Sequence, residues 1–195
     1  MKGIIFTVLN ELVEEKFGFL AWENMLTQTG DDGIFAAPDT YEDERLFALV
    51  GALAEESGLP AEALLRAYGE YAVPKFAEFY PVFFEQAGSL KEFLLSVDSI
   101  IHVEVQKLYP EARLPSIWYD GTGDQTVVMN YQSDRKLCVL AEGLITGAAA
   151  YFGNSITIEQ AQCQHRGDDH CEIRVVVGAV TEDAVSEAPV TVAGA

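Results

Sequence analysis

Basic residues are scarce in this sequence. Lysine and arginine total 12 against 31 acidic residues, a formal net charge of −19. Nucleic acid as a partner needs a basic footprint for its phosphates, so that class is excluded. An anionic membrane surface is disfavoured for the same reason, and the acidity reads first as a solubilising surface. No apolar run approaches the roughly 18 residues of a membrane-spanning helix. The segment from Met1 to Phe6 is apolar, but Asn10, Glu11, Glu14, Glu15 and Lys16 interrupt it before a signal-peptide core could form. The expectation is a cytoplasmic chain. Three cysteines are too few, and odd in number, for a disulfide framework; in a reducing compartment they read as thiols or metal ligands. There is no Walker loop and no G-x-G-x-x-G fingerprint. Nothing around the three histidines forms a nucleophile–base set, so the chain reads as a binding or sensing module rather than an enzyme.

What is present is an ordinary globular composition, 49% hydrophobic and 22% charged over 195 residues. That suits one domain with a sizeable core. The first two-thirds has helical periodicity. Ile4, Ile5, Val8, Leu9, Leu12 and Val13 form one stripe before Gly18, and a short helix fits Leu20 to Thr27. Thr40 and Asp43 resemble a capping box ahead of Leu46, Phe47, Val50 and Leu53. Pro60 stands at the first turn of the next helix. Ser89 and Glu92 form a full S-x-x-E box, which predicts one helix from Leu90 to Tyr109, ended by Pro110. After Pro115 the pattern changes. A strand fits Thr126 to Tyr131, a helix Lys136 to Phe152, and strands Ile156 to Cys163 and Cys171 to Val177. Helices first, then strands around one helix, is α+β: a helical N-terminal subdomain followed by a mixed subdomain with an antiparallel sheet. The domain spans 1–177. The acidic, aperiodic stretch 178–195 is expected to be a disordered tail.

Three constellations could carry chemistry. His102 lies at the edge of an apolar helical face among Leu94, Leu95, Ile101 and Val105. It reads either as a core histidine satisfied by a hydrogen bond or as a metal ligand, since neutral imidazole binds iron well. No C-x-x-C-H occurs, which excludes covalent c-type haem. The second is Tyr131-x-Ser133-x-Arg135. If extended, these three side chains share one side and could bind a pair of carboxylates, with Arg135 making charge-assisted bonds. The third is cysteine: Cys138, then Cys163 and Cys171, with His165 and His170 nearby. Three thiolates and an imidazole would complete a tetrahedral zinc site; free thiols or a reversible disulfide are a second reading, and buried inert cysteines a third.

Taken together and in order, the Met1–Phe6 run, His102 in I-I-H-V-E-V-Q-K-L-Y-P, Leu114-Pro115 and Y-x-S-x-R at 131–135 resemble the haem nitric oxide/oxygen-binding (H-NOX) family over about residues 1–177. The resemblance implies haem b buried between the two subdomains, with His102 as proximal iron ligand. It implies that Tyr131, Ser133 and Arg135 hold the propionates, that Pro115 presses on the haem, and that Ile5 lies against it. Leu140 stands where O2-binding members carry a hydrogen-bonding tyrosine. An apolar distal wall of Leu140, Leu144, Phe76 and Val73 favours NO, with CO a further ligand, over O2. NO weakens the bond trans to it, so the resemblance implies release of His102, movement of its helix and flattening of the haem against Pro115. It further implies a stand-alone bacterial sensor acting on a separate histidine kinase or cyclic-di-GMP enzyme. Some bacterial members carry zinc with a histidine where this chain has Gln160, so here His165 or His170 would have to substitute. A thiol/zinc redox sensor built on Cys138, Cys163 and Cys171 is the alternative function.

Overall fold

A computed structural model describes residues 1–180. The N-terminal half is helical: α1 (Gly3–Phe17), α2 (Phe19–Thr29), α3 (Asp43–Ser57), α4 (Ala61–Phe79) and the short α5 (Pro81–Glu85). The expected single helix after Ser89 is three pieces: α6 (Leu90–Ser96), a π-helical turn (Val97–His102) and α7 (Val103–Leu108). A four-stranded antiparallel sheet follows, with β1 (Ser116–Tyr119), β2 (Thr126–Gln132), β3 (Asn154–Gln162) and β4 (Cys171–Val180) in the order β1-β2-β4-β3. Helix α8 (Cys138–Tyr151) leaves β2 and packs on both α4 and β3. This is the α+β arrangement expected. β1 escaped the sequence reading because four residues are too few to show alternation. β4 runs to Val180, three residues past the expected domain end; the rest of the expected tail lies outside the described residues.

Local signals explain most helix boundaries. Ser89 Oγ accepts from Glu92 N at 3.2 Å, and Glu92 accepts from Gly88 N at 2.9 Å, as a capping box should. The Thr40–Asp43 box does not form: α3 begins after Glu42 without a side-chain cap. Pro60 is the residue just before α4, not its first helical one. Helix α8 starts at Cys138, two residues later than expected, because Lys136 adopts φ 51° in the preceding turn.

Two apolar clusters make the core. One joins α1–α4 around Phe6, Leu9, Leu46, Leu49 and Tyr68, with Leu137 and Leu140. The other joins the end of α4 and α6 to the sheet around Val73, Leu94, Val127, Ile173 and Val175. Phe76 and Leu144 are partly buried and touch both clusters, so they mark the seam. Along that seam α4 and α8 approach closely. A Cβ on Gly143 would stand 2.2 Å from Arg66 O, so only glycine permits this crossing.

Candidate functional site

His102 ends the π-helical turn, and the turn has a local cause. Ser96 Oγ donates to Phe93 O at 2.7 Å and Ser99 Oγ donates to Leu95 O at 3.2 Å. Hydroxyls that bond carbonyls three and four residues back compete with the α-helical ladder. Turns of this kind concentrate at functional sites. The His102 side chain is mostly buried, and its Nδ1 is sealed from solvent with no hydrogen-bond partner. Asp98 Oδ1 lies 3.5 Å away, one helical turn back. Burial holds the His102 pKa below its ordinary value, against the opposing pull of Asp98. The ring is therefore neutral at pH 7, the state in which imidazole binds metals.

A cavity of about 390 Å³ opens at this ring. His102 and Asp98 form one wall with Val103 and Gln106, and Leu114, Pro115 and Ile117 form another. His102 and Pro115, thirteen positions apart in sequence, thus face one space.

The Tyr131–Arg135 run is not extended throughout. β2 stops at Gln132, and Lys136 N bonds Ser133 O at 3.0 Å to close a turn. The three side chains therefore do not follow simple strand alternation. Tyr131 is buried, which pushes its phenol pKa up. Ser133 Oγ accepts from Arg135 N at 3.3 Å. Arg135 donates from Nε to Asp43 Oδ2 at 2.8 Å and from Nη2 to Arg113 O at 2.7 Å. Two of its five N–H donors are thus committed.

Asp43 is the hub here, and the sequence reading misplaced it in a cap. It is 7% exposed and receives three cations: the Met1 ammonium at 2.8 Å, Arg113 Nη2 at 2.9 Å and Arg135 Nε at 2.8 Å. Burial alone would raise its pKa, but the Met1 ammonium and Arg135 outweigh that and hold it below the ordinary carboxylate value.

The expected distal residues fall along the seam. Val73 and Leu140 are buried, one in each cluster, while Phe76 and Leu144 touch both. Ile5 packs against the first cluster, its carbonyl accepting from Tyr68 Oη at 2.6 Å. These side chains present no hydrogen-bond donor.

Cys138, Cys163 and Cys171 are brought together, with sulfurs 3.8 and 3.9 Å apart for the two pairs that include Cys163. Among the described residues the cluster offers three ligands and no histidine. His165 instead bonds Lys136 O at 2.7 Å, and His170 lies against Trp118. The Gln160 Nε2 is buried without a partner. A closed four-ligand zinc centre is therefore not formed, and neither histidine substitutes. Burial raises the pKa of Cys138 and Cys171, keeping both thiols protonated at pH 7. Protonated, buried thiols react slowly, which goes against the redox-sensor alternative.

The model of the haem-NO-binding family matches residues 2–160. The chain belongs to the H-NOX family. The S. oneidensis H-NOX protein in its Fe(II)NO ligation state is 30% identical and superposes with a TM-score of 0.87, covering 92% of this chain and all of that one. The unliganded Fe(II) H-NOX protein of K. algicida is 28% identical, with a TM-score of 0.84 over 92% of this chain and 97% of that one. A soluble guanylate cyclase of Caenorhabditis elegans is 26% identical over 180 residues. This chain spans about a quarter of that relative's length (26%). H-NOX domains are haem-based gas sensors, and no described helix here is long and apolar enough to cross a membrane.

The residues present fit that family's cofactor. A neutral imidazole whose Nδ1 has no partner faces a cavity across from Leu114, Pro115 and Ile117. Arg135 keeps three uncommitted N–H groups beside Tyr131 and Ser133 for anionic groups. Sequence reasoning missed Asp43, Arg113 and Asp98. Asp98 carried a signal, since it stands four residues before His102. Asp43 and Arg113 carried none, because their partners are remote in sequence.

Proposed function

We propose that this chain is a haem b-dependent nitric oxide sensor with His102 as the axial iron ligand. The observation that carries the reading is the mostly buried His102 ring, its Nδ1 sealed and unpartnered, facing a cavity it shares with Pro115. Bound haem would supply an iron that takes a diatomic gas, with His102 as the residue that would hold it. The chain's own residues do the rest. His102 holds the metal through a neutral nitrogen. Tyr131, Ser133 and Arg135 bind the propionates, and Asp43 steadies Arg135 from behind. Ile5 and Pro115 bear on the macrocycle.

Val73, Phe76, Leu140 and Leu144 keep the gas side apolar. Bound O2 gains negative charge and needs a donor, which this wall lacks, whereas NO and CO do not. The π-helical turn and α7 then form the moving part. The six-residue α7 directly after His102 carries solvent-exposed Val103 and Leu108 and would be the element free to shift. A short element with two positions is what a ligand-biased switch requires. The effector in this reading is a separate histidine kinase or cyclic-di-GMP enzyme, and the module itself is not a catalyst.

The test is an absorption spectrum of the purified protein with and without NO, beside His102→Gly. Haem binding, an NO complex in which the His102 bond is lost, and no lasting O2 complex in air are expected. A stable O2 complex in the native protein overturns the NO assignment. Leu140→Tyr should create one.

A further inference from the structure

We propose that Asp98 is a positioning residue for His102, its carboxylate accepting the Nδ1–H hydrogen bond and so fixing which nitrogen faces the iron. The inference rests on the haem reading above and adds a residue to it.

A neutral imidazole has one N–H donor and one acceptor nitrogen. Nδ1 of His102 is sealed from water and has no partner. A buried donor left unmade costs about 1–3 kcal/mol, so a nearby acceptor is drawn to it. Asp98 Oδ1 is 3.5 Å away, just beyond hydrogen-bond reach. The Asp98 carboxylate makes no other ion pair among the described residues. The two side chains line the same cavity from the same π-helical turn, four positions apart, so the carboxylate is the acceptor placed next to Nδ1. With the proton on Nδ1, the lone pair is on Nε2, and Nε2 becomes the coordinating atom. A carboxylate behind a metal-bound histidine orients the ring and raises its basicity. Asp98 is 45% exposed, so its hold is weaker than a buried carboxylate's. That suits a bond that must be released on signal rather than kept permanently.

The experiment compares the native ferrous haem protein with Asp98→Asn and Asp98→Ala by resonance Raman. The iron–histidine stretching frequency should fall in Asp98→Asn and fall further in Asp98→Ala, with haem content unchanged. A second arm removes the tether. In His102→Gly, added imidazole can take the vacated place with its free N–H toward Asp98, whereas 1-methylimidazole has no N–H there. Adding Asp98→Asn should weaken imidazole binding roughly tenfold and leave 1-methylimidazole binding unchanged. An unchanged stretch in Asp98→Asn overturns the proposal. Equal weakening of both exogenous ligands also overturns it, because that marks a general field effect. A native protein that takes up no haem overturns the haem reading itself, a result distinct from haem-loaded variants with an unmoved stretch.

Discussion

Asp43 is a buried carboxylate and His102 a mostly buried ring with its Nδ1 sealed from solvent, and their surroundings are opposite. Asp43 is saturated: three cations from the chain start, the loop after α7 and the turn after β2 converge on one carboxylate. His102 Nδ1 has no partner in hydrogen-bond geometry, and its ring faces a cavity. A satisfied buried charge holds a structure together, whereas a sealed nitrogen without a partner calls for an explanation. The two regions therefore divide the labour. The clasp at Asp43 ties Met1, Arg113 and Arg135 together, and in the proposed function the turn at His102 is the sensing element.

Breaking the clasp should have the largest effect on stability. Asp43→Asn leaves Met1, Arg113 and Arg135 facing a neutral group and should cost about 3 kcal/mol in urea unfolding of the haem-free protein. The same variant tests the pH dependence. The folded-state pKa of Asp43 is depressed, so its stabilisation is fully present above the ordinary carboxylate pKa of about 4 and is lost as pH falls through the lower folded value. The stability difference between native protein and Asp43→Asn should shrink below about pH 4. Arg135→Ala comes next, at about 2 kcal/mol, because its mostly buried guanidinium holds Asp43 and Arg113 O. Arg113→Ala should cost only about 0.5 kcal/mol, since that side chain is 71% exposed. The smallest effect is expected at His102. In haem-free protein His102→Ala should change stability by less than about 0.5 kcal/mol, because no hydrogen bond is lost. A large loss there would show that His102 is a structural histidine and dissolve the contrast.

The helix stripes, the Ser89 cap and the strand alternation were legible in the sequence because each is written within a few neighbouring residues. The order of His102 and Pro115 pointed to two residues that do line one cavity, and Val73, Phe76, Leu140 and Leu144 do fall along the seam between the two clusters. Two misreadings share one cause. Asp43 looked like half of a capping box with Thr40, and His165 and His170 looked like spare metal ligands beside the cysteines. Each judgement used sequence proximity where the side chain's direction decides. The His165 ring nitrogen lies 2.7 Å from Lys136 O and is not among the ligands gathered at the sulfurs. The break in the helix before His102 was hidden for another reason: hydroxyl back-bonding by Ser96 and Ser99 tips a balance between α and π winding that composition alone leaves even.

The sequence by itself determined the periodicity of the elements, the apolar character of Val73, Phe76, Leu140 and Leu144 and the absence of a histidine at Gln160, because these depend on residue identity and local spacing. Only the tertiary structure decided that Asp43 gathers Met1, Arg113 and Arg135, that the three thiols meet without a fourth ligand, and that His102 Nδ1 is left without a partner. Those outcomes depend on long-range closure, in which groups up to 92 positions apart compete for the same buried charge.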